Sequence, residues 1–464
     1  MKERFFQLDA LRGYAIFTMI LSGSIAFGNV LPAWMFHAQV PPPAHQFNPQ
    51  IPGITWVDLV FPFFIFCMGA AVPIAFNKQK ASISDLSVIS IAFRRYVLLI
   101  YFALLLEHFK ANKIAENPTH SVLLFSMVGF FLLMLSFTKW SKIFSVKTEQ
   151  ILNASGFIIG IILLFVFPFN KGKGFNIANS DIIIVVLANM ALFGIIIWWF
   201  TRQNALLRIG ILPFIMAIFL TSKNPNSWNE WIFNLTPESG VYRFYFLKYL
   251  FLFIPGTIVG EWLIKSSQIT LPLLNQKNTL DLFVYSCFVL LVGNLIFLFN
   301  RSLNINLIFT ILMLLLIVHL FNKTFNETQL FLKNCVYVGA YCLLLGLFFE
   351  SFEGGIKKDP STYSYYFVTA GFSFFSIIIF SLIPQYSWLK SINQFFTLVG
   401  QNPMMAYVVG ALFLIPLMKI TGLYPYWNSM NTNWFLGFMK GFIFTVIACG
   451  ITIPFTKKGL IWKT

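Results

Sequence analysis

The sequence predicts an all-α fold, a polytopic transmembrane helical bundle of about 11 to 14 spans, and three observations lead to this prediction. First, 58% of the 464 residues are apolar and 10% are charged, whereas soluble domains are roughly half apolar and a quarter charged. Second, apolar runs of about 20 residues recur along the chain, and a helix of that length crosses ~30 Å of hydrocarbon. Third, a backbone in lipid must satisfy its own hydrogen bonds, which favours helices.

Fourteen apolar segments are candidate spans, and two or three of them could be half-helices or fuse with a neighbour. They lie near residues 13–33, 54–76, 88–108, 121–138, 151–169, 181–200, 205–221, 244–264, 280–299, 304–321, 333–351, 364–384, 396–420 and 434–455. No soluble segment, short repeat or long linker interrupts the pattern. Residues 1–464 are therefore expected to form a single integral-membrane domain. The five cysteines all fall in or beside apolar segments, where they are expected to act as small hydrophobic residues.

The charge distribution predicts the orientation in the membrane. A net charge of +16 would suggest nucleic acid as a partner for a soluble protein, but here Lys and Arg fall in short loops, where they act as topology signals. With the N-terminus in the cytoplasm, the inner loops carry about twice as many of these cations as the outer loops. An even number of spans then returns the C-terminus to the cytoplasm. The first apolar stretch is expected to be a retained span, because the acidic residues before it are untypical of a secretory signal.

An outer loop and the start of the second predicted span carry the candidate catalytic residues. Asp58 lies one turn inside that span, and a carboxylate at membrane depth is costly enough to suggest a function. It could orient a histidine as a general base, or it could cap free backbone N–H groups of its helix. His37 and His45 flank a run of three prolines in the charge-free loop 32–52, and either could be brought over Asp58 or remain solvated.

Two inner-side features could bind a phosphate-bearing donor. Arg94 and Arg95 open the third predicted span and could hold the phosphates of a nucleotide-containing donor, or act as snorkelling anchors. Gln401 and Asn402 lie between Gly400 and a proline at the start of the thirteenth span. There a helix break frees backbone groups and offers two amides to a ligand, although a simple kink is the alternative.

A polar loop before the twelfth predicted span is the candidate acceptor site. It contains Lys357, Lys358, Ser361 and Thr362, which suit a hydroxyl-rich ligand on the outer face, although a solvated loop would look the same. No P-loop, GxSxG, HExxH or dinucleotide-binding motif occurs in a credible context, and no metal is expected.

Three sequence motifs together resemble one family of membrane enzymes. The motifs are L-D-A-L-R-G at 8–13, G-I-T-W-V-D-L-V-F-P-F-F at 53–64 followed by M-G at 68–69, and G-Q-N-P-M-M-A-Y at 400–407. They are similar to those of the heparan-α-glucosaminide N-acetyltransferases and their bacterial relatives, within the wider transmembrane acyltransferase group. The middle of the chain resembles that family only in hydropathy and in the lysine-bearing loop before Tyr363.

The resemblance implies transfer of an acetyl group from cytoplasmic acetyl-CoA to an amino sugar on the opposite face, with a catalytic histidine just upstream of D-L-V-F-P. His45, in His45-Gln46-Phe47-Asn48, resembles the family's arrangement of a histidine followed by an aromatic residue and Asn, with a few residues inserted before Gly53. His37, followed by Ala38, fits the family's His-Ala pair with a longer insertion. His45 is therefore favoured, and His37 is the reserve. Two features depart from the family: Ser22-Gly23-Ser24 stands where relatives often carry Asn, and the outer loop 32–52 is enlarged. The acceptor therefore need not be glucosamine.

Together these observations predict a membrane acyltransferase that uses acetyl-CoA as co-substrate and a saccharide as acceptor. Asp58 would orient the histidine, while Arg94 and Arg95 would lie near the phosphates of acetyl-CoA. The expected location is a bacterial inner membrane, with both termini in the cytoplasm, no nucleic acid as partner and a homodimer left open. The alternative class is a secondary transporter or flippase for a sugar-containing substrate.

Overall fold

The structure, a computed structural model, describes residues 5–77, 83–222, 224–266, 277–325 and 329–464. Its regular elements are helical, and those of eight residues or more are numbered here in chain order. They are α1 Phe6–Ser22, α2 Trp56–Asn77, α3 Asp85–Phe109, α4 His120–Phe137, α5 Val146–Val166, α6 Ile182–Thr201, α7 Ala205–Thr221, α8 Phe244–Lys265, α9 Lys277–Phe299, α10 Leu303–Thr324, α11 Leu330–Phe352, α12 Tyr363–Gln385, α13 Lys390–Gly400, α14 Pro403–Ile420 and α15 Trp434–Lys457.

Twelve helices in the described part of the chain are long and apolar enough to cross a membrane. This confirms the prediction of an all-α polytopic bundle of about 11 to 14 spans. Many apolar side chains on these helices face outward, as on α5, where Ile158, Ile161 and Phe165 are 57%, 46% and 71% exposed. Exposed apolar surface of this extent is what a lipid-facing helix requires.

Two predicted spans differ in the structure. The segment predicted at 13–33 is wrong in its bounds, because α1 ends at Ser22 and the apolar residues after Gly23 form a loop with one short turn at Ala33–Met35. The L-D-A-L-R-G motif is therefore helical, and the Asp9 and Arg12 side chains pair one turn apart. The predicted span 396–420 is divided into α13 and α14 at Gln401–Asn402, as the Gly-Gln-Asn-Pro sequence predicts.

The chain divides into two compact units. Unit 1 comprises residues 1–80, 251–400 and 433–438, and unit 2 comprises residues 81–250, 401–432 and 439–464. Each unit is discontinuous in sequence, which the prediction of a single domain over residues 1–464 did not foresee.

Unit 1 is organised around α1 and α12. Nearly all of α12 is buried, against α11, α9, α2 and α1, while α1 also packs along α13. The approach of α1 to α13 is close enough to require glycine on both helices: a Cβ added at Gly13 would collide with the backbone oxygen of Phe396, and one added at Gly400 with the backbone oxygen of Asp9.

We expect Gly13→Ala to destabilise the protein by about 1–3 kcal/mol, because the added methyl group forces α1 away from the backbone of α13. The measurement is thermal unfolding of the purified protein in detergent. Gly210→Ala is the matched control, since a Cβ at that position in α7 meets nothing within 4 Å. Equal melting temperatures for the two variants would contradict the close packing of α1 on α13.

In unit 2, the last residues of the chain are fixed to the end of α4. The Lys139 backbone N–H donates to Ile461 at 3.1 Å, and the Lys463 N–H donates to Phe137 at 2.9 Å. This short antiparallel pairing places Trp462 against the Phe102 and Phe130 rings.

Candidate active site

Asp58 is held in place at the first turn of α2. Its Oδ2 atom accepts hydrogen bonds from the Thr55 backbone N–H at 2.9 Å and the Ala38 backbone N–H at 3.4 Å. The Thr55 hydroxyl oxygen lies 3.3 Å from the same atom. The residue is 2% exposed. One oxygen of the carboxylate thus satisfies free N–H groups near the helix start, as the capping interpretation predicts. The other oxygen is left for a different partner.

That partner is His37. Its Nδ1 atom lies 2.6 Å from Asp58 Oδ1, and its side chain is 36% exposed. An ionised carboxylate can only accept, so Nδ1 carries the proton, and Nε2 is the ring nitrogen whose lone pair can accept a proton or react. A buried carboxylate that fixes a histidine in this tautomer is the orienting pair of nucleophilic and general-base catalysis.

Lys358 completes a cluster of three ionisable side chains. Its Nζ atom lies 3.3 Å from His37 Nδ1, 3.4 Å from His37 Nε2 and 4.0 Å from Asp58 Oδ1. Burial lowers the pKa of Lys358 below the usual value of 10.5, although the negative charges of Asp58 and Asp359 oppose that shift. An ammonium group at the reactive nitrogen of a histidine can stabilise negative charge that develops on a substrate there.

Hydrogen bonds between two distant segments position the cluster. The Gln39 side-chain amide donates to Asp359 O at 2.5 Å and accepts from Asp359 N–H at 2.9 Å. The Gly53 N–H donates to Ile356 O at 2.7 Å, and the Tyr365 hydroxyl donates to the Asp58 backbone oxygen at 2.8 Å. No local pattern marks Gln39 and Tyr365 in the sequence, because their partners lie some 300 residues away.

His45 does not take the predicted position. Its Nε2 atom lies 2.9 Å from the backbone N of Gly28 and 3.1 Å from the backbone O of the same residue. The ring packs edge-on against Phe27 and Phe36. The expectation that Asp58 orients His45 is therefore wrong, because the carboxylate contacts His37, and His45 instead joins the outer loop to the segment after α1.

Several polar groups of the candidate acceptor loop, residues 357–362, form hydrogen bonds within the loop and with the start of α12. Thr362 caps α12 by accepting from the Tyr365 N–H at 3.3 Å, and the Ser361 hydroxyl lies 3.0 Å from the Tyr366 hydroxyl. Both residues are buried, and their predicted contact with the acceptor stays a prediction. Lys357 is half-buried and donates its backbone N–H to Thr362. Of the four predicted residues, Lys358 alone has a side-chain contact with the His37–Asp58 pair in the described structure.

The predicted donor-binding residues all belong to unit 2. Arg94 and Arg95 lie on α3, nine and ten residues after it begins; Arg94 is exposed and Arg95 is half-buried. They therefore do not open the helix as expected. Neither guanidinium has an ion-pair partner within the described residues, so both remain available to an anion.

Asn402 makes side-chain contacts with the C-terminal segment. It is fully buried at the break between α13 and α14, where its Nδ2 donates to Leu460 O at 3.2 Å and its Oδ1 accepts from the Trp462 N–H at 3.1 Å. The amide thus fixes the C-terminal segment, and its predicted contact with acetyl-CoA stays a prediction. Gln401 beside it is half-buried, and its predicted role stays a prediction.

The twelve apolar helices and their outward-facing side chains define a polytopic α-helical integral membrane protein. Its chain belongs to the family described as a domain of unknown function (DUF5009), whose profile matches residues 4–263, more than half of the sequence. The match includes both α1 and the His37–Asp58 pair. Among curated proteins, none matches the chain.

Proposed function

We propose that the protein is a membrane acyltransferase that moves an acetyl group from cytoplasmic acetyl-CoA to a saccharide on the outer face. The observation that carries this proposal is the contact of His37 Nδ1 with the buried carboxylate of Asp58 at 2.6 Å. An isolated loop histidine would need no such partner. The similarity of the 8–13, 53–64 and 400–407 motifs to the heparan-α-glucosaminide N-acetyltransferases supports the same reaction class.

The chemistry assigned to the His37–Asp58 pair depends on which ring nitrogen reacts. Nδ1 contacts Asp58, so Nε2 is the nitrogen that meets the substrate. As a general base, Nε2 takes the proton of the acceptor amine or hydroxyl while that atom attacks the thioester carbonyl. The new C–N or C–O bond forms, the C–S bond breaks, and the coenzyme A thiolate leaves. As a nucleophile, Nε2 itself takes the acetyl group and then passes it to the acceptor. In both routes Asp58 stabilises the positive charge that develops on the ring.

Arg94 and Arg95 are proposed to bind the phosphates of acetyl-CoA, since the two side chains are charged, Arg94 is exposed and Arg95 is only half-buried. The placement of the donor in the cytoplasm, of the acceptor outside and of both termini inside rests on the distribution of Lys and Arg among the loops. A bacterial inner membrane is the proposed location.

The direct test is transfer of label from radiolabelled acetyl-CoA to a panel of amino sugars and neutral saccharides by the purified protein in liposomes. Labelled saccharide in the wild type, and none without protein, is the expected result. Substrate accumulation inside the liposomes without acetylation would favour a secondary transporter or flippase. The broken helix α13–α14 is compatible with that class.

Lys358→Met is expected to lower kcat by about 10²–10³-fold with little change in the KM of the acceptor, because the ammonium group stabilises the oxyanion only as it forms. The matched control is Lys357→Met, which removes the neighbouring charge without touching His37 and should retain near wild-type kcat. A rise in acceptor KM at constant kcat would instead assign Lys358 to acceptor binding.

The lowered pKa of Lys358 adds a pH dependence. Lys358 therefore loses its ammonium proton at a lower pH than an ordinary lysine, and activity should begin to fall below pH 10.5 as the pH is raised. Lys358→Arg stays charged throughout this range and should lose that alkaline limb. If wild type and Lys358→Arg lost activity over the same alkaline pH range, a group other than Lys358 would be responsible for the loss.

A further inference from the structure

Unit 1 contains a cavity of about 870 Å³ between α1, α2, α9, α12 and α13. Aromatic side chains line most of it, including Phe63, Phe288 and Phe380. Along α9 it extends from Asn278 to Leu295, which is about 25 Å of helix and close to the ~30 Å of a hydrocarbon core. Since Phe288 is also 54% exposed, the cavity opens at the surface of the unit. Its length and lining suit an extended hydrocarbon chain.

One end of the cavity is polar and negatively charged. Asp281 lines it there and accepts a hydrogen bond from the Tyr386 hydroxyl at 2.7 Å. Burial and the Asp281 charge raise the pKa of Tyr386, so the phenol remains a donor. Within the described residues no Lys, Arg or His nitrogen lies within 4.0 Å of this carboxylate.

Asn393 provides a second acceptor at this end. It lines the same cavity and is 9% exposed, and its Oδ1 atom has no hydrogen-bond partner in the part of the chain that the structure describes. A buried acceptor without a donor destabilises the folded protein. Two acceptors at one end of an apolar cavity therefore favour a ligand group that carries several N–H donors and a positive charge.

Two lysines flank this negative end. Lys277 begins α9 one turn before Asp281, and Lys390 begins α13 one turn before Asn393. Residues three or four apart lie on the same helix face. Positive and negative groups therefore alternate at the polar end over the distance of one helical turn, about 5.4 Å. A zwitterionic head group with adjacent phosphate and ammonium complements this arrangement.

We propose that the cavity binds a membrane phospholipid with a primary ammonium head group. Its acyl chain lies among Phe63, Phe288 and Phe380, its ammonium donates to Asp281 and Asn393 Oδ1, and its phosphate lies near Lys277 and Lys390. This site is separate from the proposed acyl transfer, and it stands or falls independently of that activity.

The test is retention of lipid by the purified full-length protein. Protein depleted of lipid in detergent is incubated with equal amounts of dioleoyl phosphatidylethanolamine and dioleoyl phosphatidylcholine, and bound lipid is counted by native mass spectrometry. The two lipids have the same acyl chains and phosphate. They differ in the head group, because the trimethylammonium group of the choline lipid has no N–H to donate. We expect roughly tenfold preference for the ethanolamine lipid, the contribution of one charge-assisted hydrogen bond. Equal retention of the two would overturn the proposal, as would stronger retention of dioleoyl phosphatidylglycerol.

Four variants assign the preference to the cavity. Asp281→Asn should remove most of it, whereas Tyr386→Phe, which keeps the carboxylate, should retain it. Val284→Trp should displace both lipids by filling the cavity that Val284 lines, and Ile308→Trp, at a 61% exposed position on α10, is its matched control. An unchanged preference in Asp281→Asn, or equal loss in the two Trp variants, would place the lipid elsewhere.

Discussion

His37→Ala is expected to reduce acetyl transfer by about 10²–10⁴-fold, because the substitution removes the only histidine nitrogen that Asp58 orients in the described structure. The measurement is label transfer from acetyl-CoA in liposomes at saturating acceptor. Binding of acetyl-CoA should be unchanged, since His37 is proposed to act on the acetyl group and the acceptor rather than to hold the coenzyme.

His45→Ala is the matched control for this prediction. It removes a histidine from the same loop, where the ring contacts the Gly28 backbone. We expect a small loss of activity through loosening of the loop. If His45→Ala abolished transfer and His37→Ala did not, His45 would be the catalytic histidine and the contact of His37 with Asp58 would serve only the structure of the loop. Full activity in both variants would exclude a histidine mechanism.

Asp58→Asn is expected to lower kcat by about 10²–10⁴-fold while leaving the KM values for acetyl-CoA and acceptor nearly unchanged. The amide keeps an oxygen for the Thr55 N–H, so the start of α2 should stay intact. Its NH₂ group facing His37 Nδ1 would make that nitrogen the acceptor and move the ring proton to Nε2, which removes the free lone pair.

The double variant distinguishes this positioning role from general damage to the protein. If Asp58 acts through His37, then His37→Ala combined with Asp58→Asn should be no slower than His37→Ala alone. Multiplication of the two losses would show that Asp58 contributes by another route. The thermal unfolding of each single variant, measured alongside, should stay near that of the wild type.

Comparison of the two histidines shows why the sequence did not choose between them. Both lie in the charge-free loop 32–52, which has no periodic pattern, and the family resemblance slightly favoured His45. The structure brings His37 to Asp58 because the short turn Ala33–Met35 and the Thr55 hydroxyl, which donates to Phe36 O at 2.7 Å, fix the chain just before His37. Such contacts depend on how the loop folds back on α2.

By itself, the sequence determined the membrane class, the positions of most helices, the break at Gln401–Asn402 and the presence of a carboxylate, Asp58, at the start of α2. These features are local, since about 20 consecutive apolar residues, a Gly-Gln-Asn-Pro break or a carboxylate at membrane depth can be read without knowing what packs nearby. The tertiary structure decided which residues meet. Lys358 reaches His37 across 321 positions of sequence, and the C-terminal segment satisfies the amide of Asn402. Buried polar groups take whichever partners the packed helices bring within hydrogen-bond distance, and local sequence does not encode that choice.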